Sequence, residues 1–148
     1  MKLFKQTFAF VIIALTLVSC SDDDDKNRII IPGPPVGVEV KYEVSSTVNM
    51  ITKISYSLGD GNTFFGAIDP DSPTLWDKVL VALYSKMPEA ALLEVNCINN
   101  STEMQNCTLN IYKSGVLIAT KTGLVPPADD DVNTDDTVTT KLTSIISE

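Results

Sequence analysis

The sequence predicts an all-β fold, a single antiparallel β-sandwich of about seven strands in residues 38–148. Apolar and polar residues alternate with a period of two in several segments, as they do in half-buried strands. Turn-forming glycine, proline and aspartate separate these segments at short intervals. No segment has the length and periodicity of an ordinary helix, although residues 87–94 are ambiguous. Short strands with frequent turns are typical of a β-sandwich.

The first strand shows the clearest alternation. One face carries Val38, Val40, Tyr42 and Val44, and the other carries Glu39, Lys41, Glu43 and Ser45. A second inward face follows in Met50, Ile54, Tyr56 and Leu58, with Thr52 among them. The sequence "GDGN" at 59–62 predicts a turn, because Asp-Gly tolerates positive φ.

Further strand segments continue to the end of the chain. They are residues 63–68, 79–84, 92–98, 108–112, 116–121 and 137–146. The segment 79–84 is predicted to be buried, and "KSG" at 113–115 predicts a tight hairpin turn. In the final strand Val138, Leu142 and Ile146 are spaced for one side. We expect Trp76 to anchor the core rather than to serve as a platform for a ligand.

The first nineteen residues have the features of an export signal. Lys2 and Lys5 precede an uncharged run from Gln6 to Ser19, which is shorter than the roughly 20 apolar residues that cross a bilayer. The run ends in "LVSC", which resembles the lipobox of bacterial lipoproteins. The resemblance implies cleavage before Cys20 and lipidation of its thiol. An ordinary cleaved signal with an unmodified cysteine is the alternative.

Residues 20–37 are predicted to form an acidic and proline-rich tether. Four adjacent aspartates repel one another and keep the backbone hydrated and extended. Their position directly after Cys20 resembles the signal that sends some lipoproteins to the outer face of the outer membrane. That signal would comprise Ser21, Asp22, Asp23, Asp24 and Asp25, and retention on the periplasmic face is the alternative.

Composition excludes several function classes. Loss of residues 1–19, with their two lysines, changes the formal charge from −8 to −10, and an acidic surface disfavours nucleic acid as a partner. The chain contains no histidine, which removes Ser-His-Asp and Cys-His catalysis and most zinc sites. No cofactor is expected.

Two cysteines remain after Cys20 is assigned to lipid. Cys97 and Cys107 would lie in an exported chain, where disulfides form readily, so we expect a bridge between them. The strands that flank "INNSTEMQN" would then form a hairpin with a long connection. The spacing is not C-x-x-C, which disfavours a redox motif.

The order of motifs in residues 40–123 resembles the MmpS family of small β-sandwich domains and related lipoproteins. The matching positions are Tyr42, Tyr56, Gly59 to Gly61, Trp76, Cys107, Ile111 and Gly115. The resemblance implies an immunoglobulin-like sandwich outside the inner membrane. It also implies an accessory role beside envelope exporters.

Two further sites are considered and not favoured. Asp129, Asp131, Asn133 and Asp135 alternate as Ca²⁺ ligands can, but Thr134 and Thr140 replace the glycine and glutamate of an EF-type loop, so a solvated loop is the preferred interpretation. Residues 136–138 resemble a bacterial O-glycosylation motif with Thr137 as acceptor. No catalytic residue is assigned, because nothing pairs Asp69, Asp71 or Glu94 at the separation that glycoside hydrolysis needs.

The sequence therefore predicts a membrane-anchored lipoprotein, displayed at the cell surface or on the periplasmic face. Its sandwich would be a non-catalytic binding or accessory module for an unidentified protein or glycan. Such domains hold partners on the loops at one end or along an exposed strand edge. An envelope transport accessory of the MmpS type is the first alternative, and a Ca-binding or glycosylated adhesion module is the second.

Overall fold

The computed structural model describes residues 36–59, 61–129 and 136–148. The strands are β1 (Gly37–Ser46), β2 (Ile51–Leu58), β3 (Phe64–Gly66), β4 (Leu75–Leu83), β5 (Glu89–Cys97), β6 (Gln105–Lys113), β7 (Val116–Val125) and β8 (Val138–Ile146). One 3₁₀ turn, Tyr84–Lys86, joins β4 to β5. The described residues contain no α-helix, and no helix among them is long and apolar enough to cross a bilayer.

The eight strands form two antiparallel four-stranded sheets. The first sheet has the order β4-β1-β6-β7, and the second has the order β3-β2-β5-β8. This arrangement confirms the predicted all-β sandwich, with one strand more than the expected seven. The ambiguous segment 87–94 contains no helix, and its residues 89–94 form the first part of β5. In β5, buried residues alternate with half-buried or exposed ones.

The core lies between the sheets and contains most of the predicted inward faces, but Thr52 was wrongly predicted to face inward and is exposed, because the register of β2 shifts there. The hydroxyl of the fully buried Tyr42 donates to the Ser57 carbonyl on the facing sheet at 2.7 Å. Burial raises the pKa of the Tyr42 phenol well above its usual range. The ring of Tyr56 lies between those of Tyr42 and Trp76, with centroid distances of 5.7 and 5.3 Å. Trp76 is only 9% exposed, which confirms it as a core residue.

The edges of the two sheets approach each other at β7 and β8. A Cβ atom on Gly123 would lie 2.0 Å from Thr140 Oγ1, so only glycine permits this spacing. Lys121 Nζ also donates to the Lys141 carbonyl at 3.0 Å. The contact between the strands brings the sheets together on this side.

The prediction that residues 79–84 form a buried strand was wrong in its burial. The strand begins earlier, at Leu75, and it is an edge strand whose outer face meets solvent. Val79 and Val81 are 45% and 44% exposed as a result. A continuous apolar run does not distinguish a buried strand from an edge strand with one covered face.

The strand registers define two ends of the sandwich. The described chain begins at Val36, beside the pairs Gly37 with Leu83 and Val40 with Lys113. We call this the tether end, because residues 20–35 join the domain here. The other end carries the connections 47–50, 67–74 and 98–104 and the connection from β7 to β8, and we call it the loop end.

Candidate functional site

The connections at the loop end are organised around one buried side chain. Asn99 is fully buried directly after β5. Its Nδ2 donates to the carbonyls of Glu103 and Val125, at 2.7 and 3.0 Å. Its Oδ1 accepts from the backbone N–H and the hydroxyl of Ser101, at 3.0 and 2.7 Å. One amide therefore uses both its donors and its acceptor to hold the 98–104 loop in one conformation.

Neighbouring loops are joined to the same network. The backbone N–H of Ala128 donates to the Asn99 carbonyl at 2.8 Å, which ties the chain after β7 to the 98–104 loop. Gln105 Nε2 donates to the Ser101 hydroxyl at 3.1 Å, and Gln105 Oε1 accepts from the Thr47 hydroxyl at 2.6 Å. Three connections thus share one set of hydrogen bonds. A surface fixed in advance loses less conformational entropy when it binds a partner.

This loop cluster presents apolar and acidic groups to solvent. Met104 and Leu124 are 59% and 61% exposed near its base. A shallow cavity of about 320 Å³ opens beside the β3–β4 connection. It is lined by Ala67, Asp69, Ser72, Leu75, Trp76 and Asp77. The described residues of the four loops include acids but no lysine or arginine.

A second cavity, of about 390 Å³, lies at the tether end. Its lining includes Glu89, which is only 8% exposed although it is charged. No hydrogen bond or ion pair to the Glu89 carboxylate is found within the described ranges. The carboxylate packs against Gly59, where an added Cβ would lie 2.5 Å from Glu89 Oε1. The site thus offers one acceptor group in a mostly enclosed position.

The outer face of the first sheet carries a polar network centred on Glu43. Its carboxylate accepts from Lys41 at 3.0 Å, and from Asn110 and Tyr112 at 3.1 Å each. The hydrogen bond from Lys41 lowers the pKa of Glu43, and the bonds from Asn110 and Tyr112 act in the same direction. Thr120 extends the network by donating to Asn110 Oδ1 at 2.7 Å. These groups therefore hydrogen-bond one another on this face of the sheet.

Most of the sequence-predicted sites lie outside the described residues. This holds for Cys20, for the proposed export signal of Ser21 and Asp22 to Asp25, and for Asp131, Asn133 and Asp135 of the Ca²⁺ alternative. Asp129 is exposed, and its backbone N–H approaches Asp136 Oδ1 at 3.4 Å. Thr137 is half-buried just before β8. Among the described residues, no cluster of three metal-ligating side chains is found.

The predicted hairpin between Cys97 and Cys107 is not present, and neither is the predicted disulfide. Cys97 ends β5 in the second sheet, and Cys107 lies in β6 of the first sheet, so the two cysteines face each other across the core. Both are buried free thiols that are not at disulfide distance. The neighbouring Cys107 thiol lowers the pKa of Cys97. The Cys97 thiol, together with burial, raises the pKa of Cys107.

The acidic residues considered for catalysis are not brought to one place. Asp69 and Asp71 belong to the β3–β4 connection, where Asp69 Oδ1 accepts from the Asp71 backbone N–H at 2.9 Å. Glu94 lies on β5 and approaches Lys141 of β8 at 3.9 Å. The role of Asn99 was not predicted from the sequence. The motif "NNS" after a strand could have indicated it, because an asparagine side chain commonly accepts a hydrogen bond from the backbone N–H two residues further along the chain.

Comparisons with known proteins identify no relative of this chain. No family model matches it, and neither a curated protein nor a solved structure does. The similarity to the MmpS family therefore stays a prediction that rests on the motifs quoted above.

Proposed function

We propose that this protein is a lipoprotein, anchored through Cys20, whose sandwich binds a protein or glycan partner with its loop end and catalyses no reaction. The observation that carries the proposal is the position of the two ends. The described chain begins at Val36 at one end, and the loop cluster held by Asn99 lies at the other. An anchored domain with this layout can hold its loops away from the membrane.

The length of the tether supports this arrangement. Fifteen residues lie between Cys20 and Val36. At roughly 3.3–3.6 Å per residue, an extended chain of that length reaches about 50 Å. The run Asp22 to Asp25 would favour extension by charge repulsion. The domain therefore has room to meet a partner beyond the membrane surface, on the outer face of the outer membrane or, as the alternative, in the periplasm.

The loop end has the properties of a binding surface. Its backbone is fixed by buried hydrogen bonds, and rigid loops on a β-scaffold are a common location for binding residues. Met104 and Leu124 supply apolar contact area. The acidic loops favour a partner with basic groups or with many hydroxyl donors, such as a glycan.

Photo-crosslinking in intact cells tests the proposed binding end. A benzophenone amino acid in place of Met104 should give a discrete adduct, while the same group in place of Ile145, an exposed residue at the tether end, should not give it. Asn99→Ala should weaken the Met104 adduct at equal protein level. An identical adduct from both positions, or none from Met104, would argue against a binding site at the loops.

The export proposal has a consequence for the buried thiols. We propose that Cys97 and Cys107 become joined in the exported protein, because they face each other across the core and the compartment is oxidising. The sulfur atoms must approach further for this to occur. Peptide mapping without reductant should find the two cysteines linked in protein taken from the cell envelope. Two alkylatable thiols after denaturation would refute the bridge.

A further inference from the structure

Six exposed apolar side chains lie toward the tether end of the sandwich. They are Val36, Val81, Tyr84, Val116, Leu117 and Ile145, and their exposed fractions run from 44% to 74%. They come from three strands, β4, β7 and β8, and from the chain just before β1 and just after β4, so no single sequence segment displays the cluster. We call these six residues the apolar rim.

One member of the apolar rim, Tyr84, lines a cavity at this end. A cavity of about 600 Å³ is lined by Val38, Tyr84, Lys113 and Ser114, together with Glu148. The Tyr84 backbone N–H contacts the Val36 carbonyl at 3.5 Å, and the Ser114 N–H donates to the Glu39 carbonyl at 2.9 Å. These contacts place the first described residue, the end of β4 and the β6–β7 turn beside one another. Tyr84 of the apolar rim and the β6–β7 turn therefore border the same cavity.

The β6–β7 hairpin carries two residues of the apolar rim. Ser114 and Gly115 both have positive φ, 47° and 79°, which is the geometry of a tight two-residue hairpin turn. Val116 and Leu117 follow the turn directly and are 64% and 48% exposed. Lys113 precedes the turn. A turn that carries apolar groups beside a lysine suits the boundary between headgroups and acyl chains.

The two ends of the sandwich also differ in their charged residues. The loop end carries Asp69, Asp71, Glu103, Asp129 and Asp136, and the described loop residues there include no lysine or arginine. The tether end carries Lys86 and Lys113 alongside its acids. An anionic membrane therefore repels the loop end more strongly than the tether end.

We infer that the apolar rim rests on the membrane to which the chain is anchored, with the β6–β7 hairpin in the headgroup region and the loop end turned outward. This inference rests on the proposed lipid anchor at Cys20. The tether brings the apolar rim to the bilayer, because the chain joins the domain at Val36, which is itself part of the rim. Contact with the bilayer covers the exposed apolar groups that a soluble domain otherwise leaves in water.

The test uses the full lipidated chain in vesicles of phosphatidylethanolamine and phosphatidylglycerol. A single environment-sensitive fluorophore is attached at Val116→Cys in one sample and at Asn100→Cys, in an exposed loop, in the other. Nitroxide lipids quench fluorophores that lie near the headgroups, and an interfacial contact is about 5–10 Å deep. We expect strong quenching and a blue shift for the label at position 116, and neither for the label at position 100.

A matched pair of substitutions in the same strand isolates the apolar contact. Leu117→Asp should remove most of the quenching at position 116, while Leu124→Asp, at the loop end of β7, should leave it unchanged. Equal quenching at positions 116 and 100, or none at 116 in protein that still floats with the vesicles, overturns the inference alone. Protein that does not float with the vesicles at all overturns the lipid anchor and the inference with it.

Discussion

Replacement of Asn99 by alanine tests whether one buried amide organises the loop end. The change removes the amide that bonds the Glu103 and Val125 carbonyls and both Ser101 donors. The Ser101 hydroxyl and the Glu103 carbonyl keep a bond to each other at 3.0 Å, but Val125 is fully buried. An unsatisfied buried polar group costs about 1–3 kcal/mol, and the remaining lost hydrogen bonds add about 1 kcal/mol. We therefore expect Asn99→Ala to lower the free energy of unfolding by about 2–4 kcal/mol.

Urea denaturation measures this loss directly. With a slope of about 1.5 kcal/mol per M for a domain of this size, the midpoint should fall by about 1.3–2.7 M. Asn100→Ala is the matched control, because Asn100 is the next residue and is exposed. A surface substitution of this kind should change stability by about 0.5 kcal/mol or less. Equal midpoints for the two variants would refute the assigned role of Asn99.

Three further changes test other parts of the structure. The lowered pKa of Glu43 means that its hydrogen bonds stabilise the fold fully above pH 4.5, the ordinary pKa, and that this stabilisation is lost as the pH falls through the folded pKa. Glu43→Gln should therefore lower the free energy of unfolding by about 1 kcal/mol at neutral pH. An equal loss at pH 2 would contradict this. Lys78 lies on the core-facing side of edge strand β4, where an inward-pointing charge hinders pairing with the edge strand of a second molecule. Lys78→Val should therefore increase self-association, measured by sedimentation velocity. Lys53→Val, on central strand β2, should not. Gly59 and Gly61 both have positive φ, but only Gly59 lies against the buried Glu89. Gly59→Ala should therefore lower the free energy of unfolding by about 1 kcal/mol more than Gly61→Ala, measured by thermal denaturation. Equal losses would exclude the contact with Glu89 as the cause.

The faces of the strands could be predicted from the sequence, but their partners could not. In β1, the alternation correctly places Val40 and Tyr42 in the core, because successive side chains of a strand point to opposite faces. The same pattern says nothing about which sheet a strand joins. The expected hairpin around Cys97 and Cys107 was wrong for this reason, since the chain crosses from one sheet to the other between them.

The candidate site was less accessible to prediction than the fold. Asn99 acts through carbonyl groups of Glu103 and Val125, and the second of these is distant in sequence and comes near only after β7 pairs with β6. The apolar rim likewise depends on several strands that end at the same level. Such features arise from tertiary packing and leave no local pattern.

Membrane fractionation of Cys20→Ala tests the central claim, that a lipid on this cysteine holds the domain at a membrane. The unchanged protein should stay with the membrane fraction and require detergent for release. Cys20→Ala should move the folded domain into the soluble fraction at similar abundance. If the variant remains membrane-bound through high-salt and carbonate washes, the lipid anchor at Cys20 is contradicted.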